Sequence, residues 1–553
     1  MTEYDVVIAG GGPSGLILAS ELGRKGISCL LLDMKPSTAF NPQANATQAR
    51  TMEHYRRLGF AHEIRALGLP SDHPTDIAYF TRLSTHELAR LSLPTAAQAV
   101  KKIKELKGSW SAAELPHRVS QKFVETVLKK HAASHPLNDI RFSWKVEGFE
   151  NHADHVIVHA APCLEGTPQA SQSFKCKYLV GADGPRSAIR HQLGISYTGE
   201  SGVKRSYMGG EMFAVYLRSS EIYKHIPHPR AWMYVTVNNQ RRCFLASVDG
   251  HDQFAFHSAL HEGERAEHWG LQEVKMRLKE LMGCDVPFEV LSMQSWIAGH
   301  SLVAEHFSKD RVFLMGDAAH LFTPTGGLGY NTAVEDAVNL GWKLSHVIKG
   351  LAPQKLLDSY ELERRPLALR NTTYARQFAD SVGLYPVSDD FELDTAQAQE
   401  ERARASVHFN AHVRLEFNIP GVTFGGRYDQ SPIIIKDGSK APPDEANNYE
   451  PSACPGGRPP HVWLENGQSL YDTFGPEWTL LCNQADALDF SPWREAAKNK
   501  GIELECLHLP LKELQDLYVQ PLCLIRPDQI VGWRGQNLAQ AHIEVLFEQL
   551  LGA

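Results

Sequence analysis

Cysteine is scarce: nine in 553 residues, with the closest pair, Cys163 and Cys176, 13 positions apart. An odd count at such spacing excludes a disulfide framework and a CxxC metal knuckle. No apolar run approaches the roughly 18 residues that cross a bilayer. The N-terminus lacks the basic region and small-residue cleavage site of an export signal. Neither sign of charge is concentrated: 56 Lys+Arg against 64 Asp+Glu leave −8, so there is no basic footprint for a nucleic acid. These absences predict a cytoplasmic, reduced protein with neither membrane nor nucleic-acid partner. What is present is ordinary for a globular chain, 43% apolar and 22% charged, and the length predicts roughly three to four domains.

The first forty residues carry a pattern. Val6, Val7 and Ile8 form a short apolar run ending at glycines, as a parallel strand buried on both faces does. Leu16, Leu18, Ala19 and Leu22 recur at helical spacing until Gly26, and Cys29 to Leu32 make a second strand ending in Asp33. The connecting turn reads Gly10-Gly11-Gly12-Pro13-Ser14-Gly15. Its glycines supply a tight turn, close backbone approach to a pyrophosphate and close helix–strand packing, with the pyrophosphate on the helix N-terminus. Asp33 is placed to accept hydrogen bonds from a ribose. A serine-hydrolase elbow is excluded, because Ser14 is followed two residues on by Leu16 rather than glycine.

Two further signatures follow. "YLVGADGPRSAIRHQLGI" at 178–195 is again a strand running into glycine and a helix. "RVFLMGDAAHLFTPTGGLGYNTAVEDAVNLGWKL" at 311–344 reads as a strand, a Gly316-Asp317 turn and a helix carrying Ala333, Ala337 and Leu340 on one face. Together the three motifs resemble the fingerprints of the FAD-dependent aromatic hydroxylases, the single-component flavoprotein monooxygenases built like para-hydroxybenzoate hydroxylase. The resemblance spans residues 4 to 380.

It implies that Gly10, Gly12, Pro13, Ser14 and Gly15 hold the FAD pyrophosphate and Asp33 the adenosine ribose. Arg50 matches an arginine that reaches the diphosphate, and Gln121 a glutamine on the flavin side chain, with Arg118 a further candidate. Asp183 is the residue serving both FAD and the nicotinamide cofactor. Gly316 and Asp317 bind the ribityl chain, and Pro324 packs near the reactive edge of the flavin. Gly329, Tyr330 and Asn331 present backbone N–H groups to its pyrimidine end, where a helix N-terminus favours negative charge on physical grounds alone. Leu328 departs from the polar residue of many relatives. His320 is expected to be structural.

From about 205 to 300 the pattern turns to strands, with Met212, Ala214 and Tyr216 on one face. In the resembling fold this sheet roofs the substrate pocket. Tyr216, Tyr234, Arg230 and His228 are candidates to orient or deprotonate a phenol. The spacings of His257 with His261 and of His225 with His228 read as solvated faces, and no metal site is expected. Residues 356–382 predict a helix interrupted near Pro366, and Glu392–Arg404 another. Residues 436–461, dense in Pro, Gly, Asp and Asn, read as a surface linker. The tail resembles the thioredoxin-like domain of the phenol hydroxylase subgroup. Cys482 there has no resolving partner, so the domain is expected to be redox-inactive.

The expected fold is therefore α/β. A Rossmann-like FAD-binding domain occupies 1–80, 110–195 and 300–385, and an inserted mixed β-sheet substrate domain 81–109 and 196–299. A helical segment and linker at 386–455 lead to the thioredoxin-like domain at 456–553. The resemblance implies a homodimeric monooxygenase of aromatic catabolism. It would hydroxylate a phenolic compound with NADH or NADPH and dioxygen through a flavin C4a-hydroperoxide. The alternatives are a polyketide-tailoring hydroxylase or epoxidase on the same fold, and a catalytically silent flavin-binding scaffold.

Overall fold

The computed structural model describes every residue except 164–169 and 205–206. Strand β1 (Thr2–Ala9), helix α1 (Pro13–Arg24) and strand β2 (Cys29–Asp33) open the chain as a β-α-β unit. Val6, Val7 and Ile8 are fully buried, because the sheet is covered on both faces. β1 lies at the centre of an eight-stranded sheet, parallel to β2 and to Gln172–Gly181, which in turn pairs in parallel with Val312–Leu314. The three glycine-bearing turns of the sequence thus leave the same end of one sheet.

A second, seven-stranded sheet runs Glu289–Ala298, Gly210–Arg218, Gln253–Ala259, Cys243–Ser247, Met233–Thr236, Ile77–Phe80 and Glu87–Leu91. Ile77–Phe80, N-terminal to the boundary at residue 80, pairs in parallel with Met233–Thr236 in this sheet. Its two faces are sharply distinct. Tyr79, Met212, Tyr216, Val235 and Phe244 pack with Ala46, Phe409 and Val413 on the inner face, towards the first sheet's turns. Phe80, Phe213, Tyr234, Leu245 and Phe256 pack with Leu278 and Met282 on the outer one.

The helices depart from the expected bounds. Asp358–Gly383 is one continuous helix with Pro366 inside it. Proline removes one hydrogen bond and crowds the carbonyl of the preceding turn, but Leu362 there is exposed. The adjoining Glu363 and Arg364 are fully buried and ion-paired, so tertiary contacts outweigh the local cost. Ala396–Phe417 is also longer than predicted and lies against Glu87–Leu91, walling the inner face. Only the first part of the 436–461 linker lies at the surface. Ala453–Val462 is buried, because Arg458 reaches Glu53 at 2.6 Å.

The last sheet, in the order Leu504–His508, Trp478–Cys482, Leu522–Ile525 and Val531–Gly535, has one parallel and two antiparallel pairings. It docks through buried charge. Glu363 receives Arg526 at 2.7 and 2.9 Å and Lys343 at 2.7 Å, all fully buried. Trp478 packs on Trp342 and donates Nε1 to His346. No helix among the described residues is long and apolar enough to cross a membrane.

Candidate active site

The three turns meet at the ends of β1 and α1. Gly10 has φ +115, and a Cβ there would sit 2.1 Å from the Ala182 carbonyl oxygen, beside Asp183. A Cβ at Gly15 would lie 2.0 Å from the Gly10 oxygen. At Gly12 a Cβ meets nothing, so the backbone there faces open space in front of α1, which begins at Pro13 and has no side-chain cap. Its first-turn N–H groups are available to an anion. Ser14 is buried against Gly316, where an added Cβ would come within 3.0 Å of the Ser14 hydroxyl. Asp33 accepts from Gly11 N at 2.6 Å and from Lys35 N at 2.7 Å, leaving lone pairs on both oxygens. One Asp183 oxygen accepts from Ile189 N at 3.2 Å, and the other is buried with no partner.

Asp317 keeps an accessible side chain, yet protein encloses it closely enough that burial pushes its carboxyl up. Beneath that turn, Asp336 accepts from Gly316 N, His320 Nε2 and Arg364 Nε, at 3.2, 2.6 and 2.8 Å. His320 is fully buried.

The helix Leu328–Ile348 starts at Gly327, whose left-handed φ of +66 turns the chain, and it too has no side-chain cap. Asn331 braces the helix start: Oδ1 accepts from Gln48 N at 2.8 Å and Nδ2 donates to Ala46 O at 2.9 Å. Gln48 Nε2 donates to Gly326 O at 2.7 Å. The side chain of Asn331 is thus committed to the protein, and only its backbone faces a ligand. The Tyr330 hydroxyl bonds Tyr55, and Gly329 packs on Phe322. Pro324 is exposed between Thr323 and Thr325, whose hydroxyls donate to His300 O and Ala375 O.

An uncapped α1, an orphan Asp183 oxygen, an enclosed Asp317 and an uncapped helix at Leu328 together fit a bound dinucleotide with a flavin end. Two expected ligands are otherwise engaged. Arg50 is buried, paired with Glu53 at 3.1 Å and donating to the carbonyls of Asp528 and Gln529 in the C-terminal unit. Gln121 donates Nε2 to Glu125 at 2.6 Å.

The four phenol-orienting candidates are not brought together. Tyr234 points to the outer face, where its hydroxyl accepts from Ala231 N. His228 donates Nε2–H to the Thr85 carbonyl at 2.7 Å and packs on Phe80, and Arg230 lies over Tyr223, both on that same outer side. Only Tyr216 is on the inner face, and its hydroxyl is held by Lys122 and Gln253. Strand alternation decides this: Tyr234 and Val235 must face opposite ways.

The inner face is lined instead by residues that were not among the substrate candidates. His257 lies on a strand rather than a helix and is buried, not solvated. It stacks on Phe244 at 4.3 Å, and burial pushes its imidazole down to about 3. Among the described residues its Nδ1 and the nearby Trp296 Nε1 have no hydrogen-bond partner. Tyr79 stacks on Phe409 of the helical wall. Below them Glu416 accepts from Gly326 N at 3.0 Å and pairs with His412 at 2.9 Å. A strand register would have placed His257 opposite Ala214, but register is not readable from one sequence.

The chain matches the model of an FAD binding domain over residues 3–375 and that of the aromatic-ring hydroxylase C-terminal domain over 452–553. It is 29% identical to 2,4-dichlorophenol 6-monooxygenase of Delftia acidovorans, over 97% of this chain and 95% of that one. It is 31% identical to aklavinone 12-hydroxylase of Streptomyces peucetius, over 87% and 91%. The structure of chromopyrrolic acid-soaked RebC with bound 7-carboxy-K252c superposes with a TM-score of 0.88 at 29% identity, covering 100% and 99% of the two chains. With its three motifs gathered at one end of the first sheet and both family models satisfied in order, the chain belongs to the FAD-dependent aromatic-ring monooxygenases.

Proposed function

We propose that this monooxygenase hydroxylates a phenolic or related electron-rich aromatic, using NADH or NADPH and dioxygen. The observation that carries the reading is the inner face of the seven-stranded sheet. There Phe244, His257, Trp296 and Tyr79 form an aromatic surface that Ala46 joins to the segment Pro324–Gly327. FAD, when bound, accepts hydride and activates oxygen. The chain's own residues do the rest. The N–H groups before α1 hold the pyrophosphate, with Asp33 on a ribose and Asp317 on the ribityl hydroxyls. Arg50 would contribute to the diphosphate only by sharing a guanidinium already paired with Glu53, and Gln121 by leaving Glu125. Free amides at Leu328–Tyr330 favour negative charge at the pyrimidine end of the flavin. Pro324 stiffens the loop at its reactive edge, and the apolar wall keeps water from the reacting atoms. His257, neutral at pH 7, offers nitrogen atoms to a phenolic hydroxyl without adding charge.

A second reading, a tailoring hydroxylase of fused-ring aromatics, is favoured by the likeness to aklavinone 12-hydroxylase and to RebC. The test is NAD(P)H oxidation and product mass with the FAD-loaded enzyme across simple phenols and fused-ring phenols. Turnover with simple phenols supports the first reading and turnover restricted to fused rings the second. Absence of oxygenated product from every aromatic would remove both.

A further inference from the structure

Arg118 is 5% exposed and lies on the short strand His117–Arg118, paired with Ala46. Its guanidinium sits over the Trp232 ring at 4.7 Å and the Phe417 ring at 5.8 Å. Among the described residues it donates no hydrogen bond, and Nη1 is sealed from solvent with no partner. An arginine carries five N–H donors in a rigid fork. Leaving them unmet inside a protein costs far more than leaving them in water.

The surroundings do not supply the missing acceptor. Among the described residues Glu416 is the one charged group that acts on Arg118, and no ion pair forms between them. Its two oxygens accept from Gly326 N and pair with His412 Nε2. Burial pushes the guanidinium down to about 10, so it is still a cation at neutral pH. Trp232 belongs to the inner-face cluster with Tyr79 and Phe244, and Phe417 ends the helix that walls it. Ala46 touches Gly327 at the start of the flavin-facing helix. Arg118 therefore lies where the inner face of the sheet, the helical wall and the loop before Leu328 come together.

We propose that Arg118 anchors an anionic oxygen of the aromatic substrate, with a carboxylate the best fit to its fork, while Trp232 and Phe417 hold the guanidinium plane. An anion satisfies both deficits at once, the unmet donors and the desolvated charge, through charge-assisted bonds. The proposal narrows the substrate class of the monooxygenase reading and rests on it for the site's location. It moves Arg118 from cofactor to substrate.

The test uses FAD-loaded enzyme and the change in flavin absorbance on titration with hydroxylated benzoates and naphthoates, each paired with its neutral amide. Expected is that wild type binds an acid at least about tenfold more tightly than its amide. Arg118→Met should abolish that preference while FAD content stays at the wild-type level. Arg118→Lys, which keeps the charge and loses the fork, should restore it in part and serves if the Met variant fails to fold. Equal binding of acids and amides by wild type overturns the proposal, as does loss of FAD from the variants with the preference intact. If acids bind in an Arg118-dependent way but no aromatic is ever oxygenated, the anchor stands and the monooxygenase reading falls.

Discussion

His320 and Asp336 form a fully buried pair, with imidazole Nε2 2.6 Å from carboxylate Oδ2, directly beneath the Gly316–Asp317 turn. Burial opposes the Asp336 charge, but His320 and Arg364 outweigh it and hold the carboxyl below the ordinary range. A carboxyl lowered on folding contributes stability above its unfolded pKa, and that contribution is lost as pH falls through the folded one. Asp336→Asn leaves Arg364 short of its partner inside the protein. At pH 7 the expected loss is about 3–5 kcal/mol. Denaturant titrations at pH 7 and at successively lower pH check this, because the gap between variant and wild type should narrow only between the ordinary carboxylate pKa and the lowered folded one. A gap independent of pH would mean that the Asp336 charge contributes nothing.

Asp317→Ala should separate folding from cofactor retention. Burial raises the Asp317 carboxyl, so its ionised form slightly destabilises the apoprotein above that pKa. The apoprotein should therefore melt no lower at pH 7 after substitution. FAD affinity should fall by about 1–3 kcal/mol, the cost of a buried hydroxyl left without its acceptor. Bound-flavin absorbance and apoprotein melting measure the two effects separately. Unchanged FAD affinity would remove Asp317 from the ribityl site.

Pro324→Gly tests the loop at the flavin edge. Thr323 and Thr325 pin the loop on either side, and proline fixes φ between them. Glycine adds backbone freedom costing about 1 kcal/mol to order. NAD(P)H consumption with substrate should persist, while a larger share of the oxygen leaves as hydrogen peroxide. Product and peroxide per NAD(P)H oxidised give the answer, and wild-type coupling in the variant would place Pro324 away from the reacting edge.

The geometry of the glycine turns and of the helix start at Leu328 was legible because its determinants are local. Gly10 to Asp33 and Gly316 to Asn331 are contiguous, and each segment needs its residue types at fixed spacing. The substrate half was not. His257 faces Phe244 only through the pairing of two strands, and Glu416 reaches Gly326 across 90 positions. Tyr234 lay in the right strand, but its alternation had no reference for inside and outside. Pro366 misled in the other direction: a local rule stopped the helix where buried ion pairs from the C-terminal unit carry it on. Arg50 shows the same limit, since its partners Asp528 and Gln529 lie some 480 positions away.

The docking of the last hundred residues has a consequence for how the molecule could be divided. Trp342 and Leu356 are covered by Trp478, Leu480 and Phe547, and Lys343 and Glu363 are sealed in with Arg526. A fragment ending near residue 450 would show water a greasy patch with the Lys343–Glu363 pair laid open in its middle. The helix through Pro366 would lose the clamp that holds it straight, and with it the footing of Asp336 and the flavin turn. The tail is a keystone: it braces the helix behind the flavin turn and, through the carbonyls of Asp528 and Gln529, also holds Arg50 in place.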